Sequence, residues 1–119
     1  MLPDERDAAY LWDMLDAART VREFTANVGL DAYLEDRKLQ LAVERGLEII
    51  GEAARRVSER FRERHPEIPW RSIIGQRHVL AHEYGEVKQD RIWVVATAQI
   101  PELIRQLEPL VPAPPEDVR

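Results

Sequence analysis

The sequence predicts an all-α fold, an antiparallel bundle of four to five helices, and three observations predict it. Apolar residues recur at three- and four-residue steps through most of the 119 residues, the spacing of helices with one buried face. The interruptions between these runs fall on Asn, Gly and Pro, which end helices. No stretch alternates as a strand does, and no repeat divides the chain. One domain over residues 1–110 is therefore expected, followed by a Pro-rich, flexible tail at 111–119.

The first helix is expected over residues 4–26, with Tyr10, Leu11, Met14, Leu15, Ala18, Val21 and Phe24 as its apolar stripe. Asn27 and Gly29 supply its stop, and Asp31 is placed to cap a short turn containing Tyr33 and Leu34. A second long helix is expected from about Asp36 to Arg64, bent near Ser58. It buries Leu39, Ala42, Val43, Leu47, Ile50, Ala54 and Val57. Gly46 and Gly51 inside it point to close helix approach, within one chain or across a dimer. Glu44, Glu48 and Glu52 form an acidic row there, either a solvated face paired with arginines or a support for groups elsewhere. Pro66 and Pro69 break the chain, and a helix from Trp70 to about Tyr84 follows, anchored by Ile73, Ile74, Val79 and Leu80 and ended by Gly85. A last helix, capped by Asp90 and kinked at Pro101, runs through Trp93, Ile100, Leu103, Ile104 and Leu107.

Charge is distributed unevenly. The chain carries a net charge of -5, yet residues 53–82 hold seven arginines against three glutamates, a balance of +4. All three histidines, His65, His78 and His82, lie in the same segment. Such polarity suits local phosphate binding beneath an acidic remainder, and equally a solvated arginine-rich face. The absence of cysteine removes disulfides and thiolate metal sites. No apolar run approaches a membrane span and the N-terminus lacks the basic start of a signal peptide, so a cytoplasmic protein without a membrane partner is expected.

The chemistry concentrates in the helix after the prolines. Arg77 is permanently cationic and can grip a phosphate through two parallel N–H groups, and histidine exchanges protons near neutrality. At about 100° per residue, His78 and His82 stack one turn apart, roughly 120–140° around the helix from Arg77. A straight helix does not easily aim Arg77 and His82 at one atom. Either arginine reach or a local bend reconciles them, or a two-fold dimer brings two such helices to one cleft. Taken alone, each histidine would more often be a packing residue. His78 and His82 at i, i+4 could ligate zinc, but a third ligand is missing and His65 lies beyond two prolines, so no metal or other cofactor is expected.

The spacing Arg77-x4-His82-x-Tyr84 resembles the signature of HepT-like ribonuclease toxins of the HEPN superfamily. The run from Ala42 through Glu44-Arg45 to Gly51-Glu52-Ala53, and the later Ile68-Pro69-Trp70 and Ile92-Trp93, resemble that family in the same order. The resemblance covers roughly Tyr10 to Leu110. It implies a HEPN-like helical homodimer with a composite site, acting on RNA (tRNA or mRNA) as a metal-independent endoribonuclease. Arg77 and His82 would be the catalytic pair and His78 an auxiliary group, at a position where the family often carries asparagine. It further implies a type VII-like toxin–antitoxin pair, in which a cognate nucleotidyltransferase adds AMP to Tyr84 and silences the toxin. The rival expectation is a non-catalytic helical dimer serving as an accessory subunit of a nucleotidyltransferase.

Overall fold

The computed structural model describes residues 3–82 and 88–112, and among these the chain is helical with no strand. Helix α1 spans Glu5–Thr25 and is started by Asp4, whose carboxylate accepts the Asp7 N–H at 2.7 Å. Leu11, Met14, Leu15, Ala18 and Val21 form its buried stripe, while Phe24, at the end of the same pattern, is exposed. The turn after α1 uses Asn27, the residue with a left-handed backbone (φ 61°), and not Gly29, whose φ is -90°. Asparagine is one of the few side-chain-bearing residues that tolerate this region. Gly29 instead sits at the start of α2 (Leu30–Leu34), the capping position expected of Asp31. Tyr33 is fully buried there and Leu34 faces out.

Helix α3 spans Arg37–Arg56 and is capped by Asp36, which accepts the Leu39 N–H at 3.0 Å. The sequence expectation of one bent helix to Arg64 gives way to two. Val57 is extended (ψ 138°), and a new helix, α4, runs Glu59–Arg64. The cause lies 51 residues upstream. Buried Asp7 accepts the Ser58 backbone N–H at 2.7 Å and the Ser58 hydroxyl at 2.6 Å, and Ser58 Oγ in turn accepts the Phe61 N–H. The Ser58 amide thus goes to a carboxylate rather than to the helix carbonyl behind it, which ends the ladder.

Helix α5 spans Trp70–His82. The last stretch is continuous but not uniform: α6 covers Gln89–Val94, a π-helical turn covers Val95–Gln99, and α7 covers Ile100–Leu107. Asp90 lies in the first turn of α6, with Lys88 at the cap position. Pro101 cannot donate to the ladder, and its ring would crowd the carbonyl of Thr97 in a regular helix. The π turn loosens that region, with the Ile100 N–H reaching back to the Val95 carbonyl, so the expected kink is taken up by a wider turn just before the proline. Ile100, Leu103, Ile104 and Leu107 still present one buried stripe.

Helix α3 packs between α1 and α5, and α7 closes the bundle against α1. Leu110 and Val111 fold back onto the core, both bonding the Leu107 carbonyl. Gly46 explains how closely α1 and α3 approach. A Cβ built there would lie 2.4 Å from Val21 Cγ2. Valine on a helix is stiff and cannot swing away, so added bulk costs about 1–3 kcal/mol of overpacking against a helix-propensity gain of about 1 kcal/mol. Gly46→Ala is accordingly expected to lower the thermal midpoint by about 4 °C in calorimetry, where an exposed helical glycine would raise it.

Candidate functional site

The start of α5 is fixed by aromatic packing. Trp70 is buried, donates its indole N–H to the His65 carbonyl at 2.9 Å, and meets Phe61 edge-on at 6.4 Å. Phe61 also packs against the His65 ring at 4.3 Å, and His65 Nδ1 lies 3.3 Å from Glu67. His65 is therefore a structural loop residue, as the two prolines suggested. Ile68 is buried beneath this cluster, and Gln106 of α7 donates to the Glu67 carbonyl at 2.9 Å. The connection cannot pivot, so the direction of α5 is set at its first turn.

From there α5 runs back along α3. Ile73 and Gln76 line one cavity with Leu47 and Ile50, together with residues of the π turn and α7. The remaining turns head toward the first half of α3, where Glu44 stands. Arg77, His78 and His82 occupy these last turns of the helix backbone. Their side chains, and the whole of Tyr84 and Gly85, lie outside the described residues. His82 is about 18 Å along the axis from Trp70, so His65 and His82 sit at opposite ends of α5. Among the described residues, no group of three or more His, Cys, Asp or Glu is arranged to hold a metal ion.

The three glutamates of α3 separate into two kinds. Glu48 pairs with Arg45 at 3.4 Å, and Glu52 with Arg55 and Arg56 at 2.8 and 3.0 Å, all partly exposed surface pairs of small energetic weight. Glu44 differs. Its carboxylate accepts the Gln89 side-chain amide at 2.7 Å, and Gln89 Oε1 accepts the Tyr33 hydroxyl at 2.6 Å. Arg37 stands 3.7 Å from the same carboxylate. Burial, and then the Glu44 charge, push the Tyr33 hydroxyl up to about 12, against a smaller opposing effect of Arg37. The phenol therefore stays protonated and remains a donor at neutral pH. By its sequence Tyr33 belongs to a short capped turn, and Gln89 has no role. A glutamine just after the motif carries no local signal that its partners are 45 and 56 residues away.

Of the arginines that make residues 53–82 basic, Arg55, Arg56, Arg60, Arg64 and Arg71 are exposed, and Arg55 and Arg56 pair with Glu52. No helix among the described residues is long and apolar enough to cross a membrane.

Comparison with known proteins places this arrangement. Residues 14–110 match the family described as ribonuclease HepT-like. A Thermococcus cleftensis protein named "Probable ribonuclease HepT" is 40% identical over 101 residues, covering 85% of this chain and 92% of its own length. A Methanocaldococcus jannaschii protein bearing an RNase name is 34% identical over 100 residues, 84% of this chain and 92% of its own. Another, from Caldanaerobacter subterraneus subsp. tengcongensis, is 35% identical over 102 residues, 86% and 91% respectively. No solved structure matches. The match runs through α1, α3, α5 and α7 and contains the Arg77-x4-His82-x-Tyr84 spacing, and with it the chain belongs to the HepT-like ribonuclease family of HEPN proteins.

Proposed function

We propose that this chain is the toxin of a toxin–antitoxin pair, a metal-independent endoribonuclease that works as a homodimer in the cytoplasm. The observation that carries the reading is the span of the family match, which encloses Arg77, His78, His82 and Tyr84 on or just beyond one helix. The residue chemistry agrees with it. The 2′-hydroxyl of RNA loses a proton to one histidine as its oxygen attacks the adjacent phosphorus. The bond to the 5′-oxygen breaks, and that oxygen takes a proton from a second histidine. Arg77 binds the phosphate and offsets the negative charge that builds up between these events. Two copies of His82 across a two-fold axis supply acid and base, and His78 is an auxiliary proton carrier.

The experiment is cleavage of a labelled RNA by the purified protein in excess EDTA. Retained cleavage leaving a 2′,3′-cyclic phosphate, or its hydrolysis product, is the expected result. Loss of activity in chelator with recovery on adding a divalent ion overturns the metal-free mechanism. A monomer by light scattering at micromolar concentration overturns the composite site.

A further inference from the structure

One polar chain outside the motif ties three helices together at the end of α3 toward which α5 runs. Tyr33 of α2 is held on every side: its ring packs against Trp93 at 4.8 Å, and its carbonyl and that of Leu34 both accept the Gln40 amide at 3.0 Å. Its hydroxyl can only point at Gln89, whose amide nitrogen is thereby turned toward Glu44 of α3. The direction of every bond is set, because a protonated phenol donates, a carboxylate only accepts, and the amide between them must do one of each. Gln89 is the first residue of α6, seven residues beyond His82. Two apolar side chains at 33 and 89 could fill the same space with less desolvation. What they would lack is a hydrogen-bonded tie of the start of α6 to both α2 and α3.

The geometry points to Tyr33, Gln89 and Glu44 as positioning residues of the ribonuclease: their hydrogen-bonded chain clasps the first turn of α6 to α2 and α3 and so holds the Arg77/His82 end of α5 in its working place. This rests on the ribonuclease reading, which supplies the reaction that the placement serves. The aromatic cluster around Trp70 anchors α5 at its first turn, about 18 Å from His82, and beyond His82 the first side chain of the described residues that is tied to other helices is Gln89. Misplacement of catalytic groups by about 1 Å can cost about a hundredfold in rate. Glu44 touches neither substrate nor scissile bond in this account and acts only through Gln89.

The test uses four full-length variants, Gln89→Leu, Tyr33→Phe, Glu44→Ala and Glu44→Gln, each read by steady-state RNA cleavage and by amide hydrogen exchange. Gln89→Leu, Tyr33→Phe and Glu44→Ala should lose about tenfold or more in kcat with KM within about twofold. Their amides in residues 77–82 and 89–94 should exchange faster, while those of α1 and α7 keep their protection. Glu44→Gln retains an acceptor oxygen for Gln89 and should stay within about threefold of the parent, a rescue that a requirement for charge would not give. Unchanged exchange in the three disrupting variants overturns the clasp whether or not the protein cleaves RNA. Faster exchange with parental kcat overturns its link to catalysis. If the parent itself cleaves no RNA, the ribonuclease reading fails, and the exchange data still decide whether the clasp holds α5.

Discussion

Alanine at Arg77 or at His82 is expected to abolish RNA cleavage while leaving the melting temperature nearly unchanged. Removing a charge-stabilising donor costs about a hundred- to a thousandfold, and removing a proton-transfer group about a hundred- to ten-thousandfold. In the proposed dimer the His82 change removes both copies at once, so its effect should lie toward the upper end. The two losses should not multiply in the double variant, because both residues serve one transition state. Stability should survive because α5 is anchored by buried Trp70 and Ile73, several turns before the motif ends. Single-turnover cleavage of a labelled RNA beside calorimetry measures both halves of the expectation. His78→Ala should have a smaller effect that varies more with pH. If the Arg77→Ala and His82→Ala proteins cleave as the parent does, these two residues are not the catalytic pair; if the parent itself cleaves no RNA, the chain is instead a non-catalytic accessory subunit.

If this chain is the proposed toxin, addition of AMP to Tyr84 by a cognate nucleotidyltransferase is expected to have the second large effect. Tyr84 follows Arg77 by seven residues, about two helical turns, so continuation of the helix would put phenol and guanidinium on one side. The Tyr84 oxygen would attack the α-phosphate of ATP, bound with magnesium to the partner, forming a phosphodiester as pyrophosphate leaves. The attached nucleotide would then place an anion beside the arginine proposed to receive the RNA phosphate, blocking it by bulk and by charge. Cleavage by the modified protein should fall to background. Co-expression with the partner followed by intact mass measurement should show one or more AMP additions, all lost in Tyr84→Phe. An unmodified Tyr84 in a fully neutralised toxin would mean that the partner acts by occlusion alone.

The sequence by itself determined the helical class, the positions of the long helices and the motif that assigns the family. Each of these is carried by neighbours in sequence. A three-to-four-residue apolar period marks α1, α3 and α7, Asp36 precedes the helix that it caps, and the Arg77-x4-His82 spacing lies within a single helix. Only the tertiary structure decided which partner each polar or small residue would meet. Asp7 is buried and ends α3 by taking the Ser58 amide 51 residues away. Gly46 could have faced a second copy, and instead it lets Val21 of the same chain close on it. Pro101 announced a kink, but its accommodation in a π turn depends on packing that spacing does not encode. Glu44, Glu48 and Glu52 share one pattern and two fates, because only Glu44 finds Gln89 across the bundle. Helical periodicity reports which face is buried. A hydrogen bond between residues 45 or more apart depends on where whole helices come to rest, and no local pattern records that.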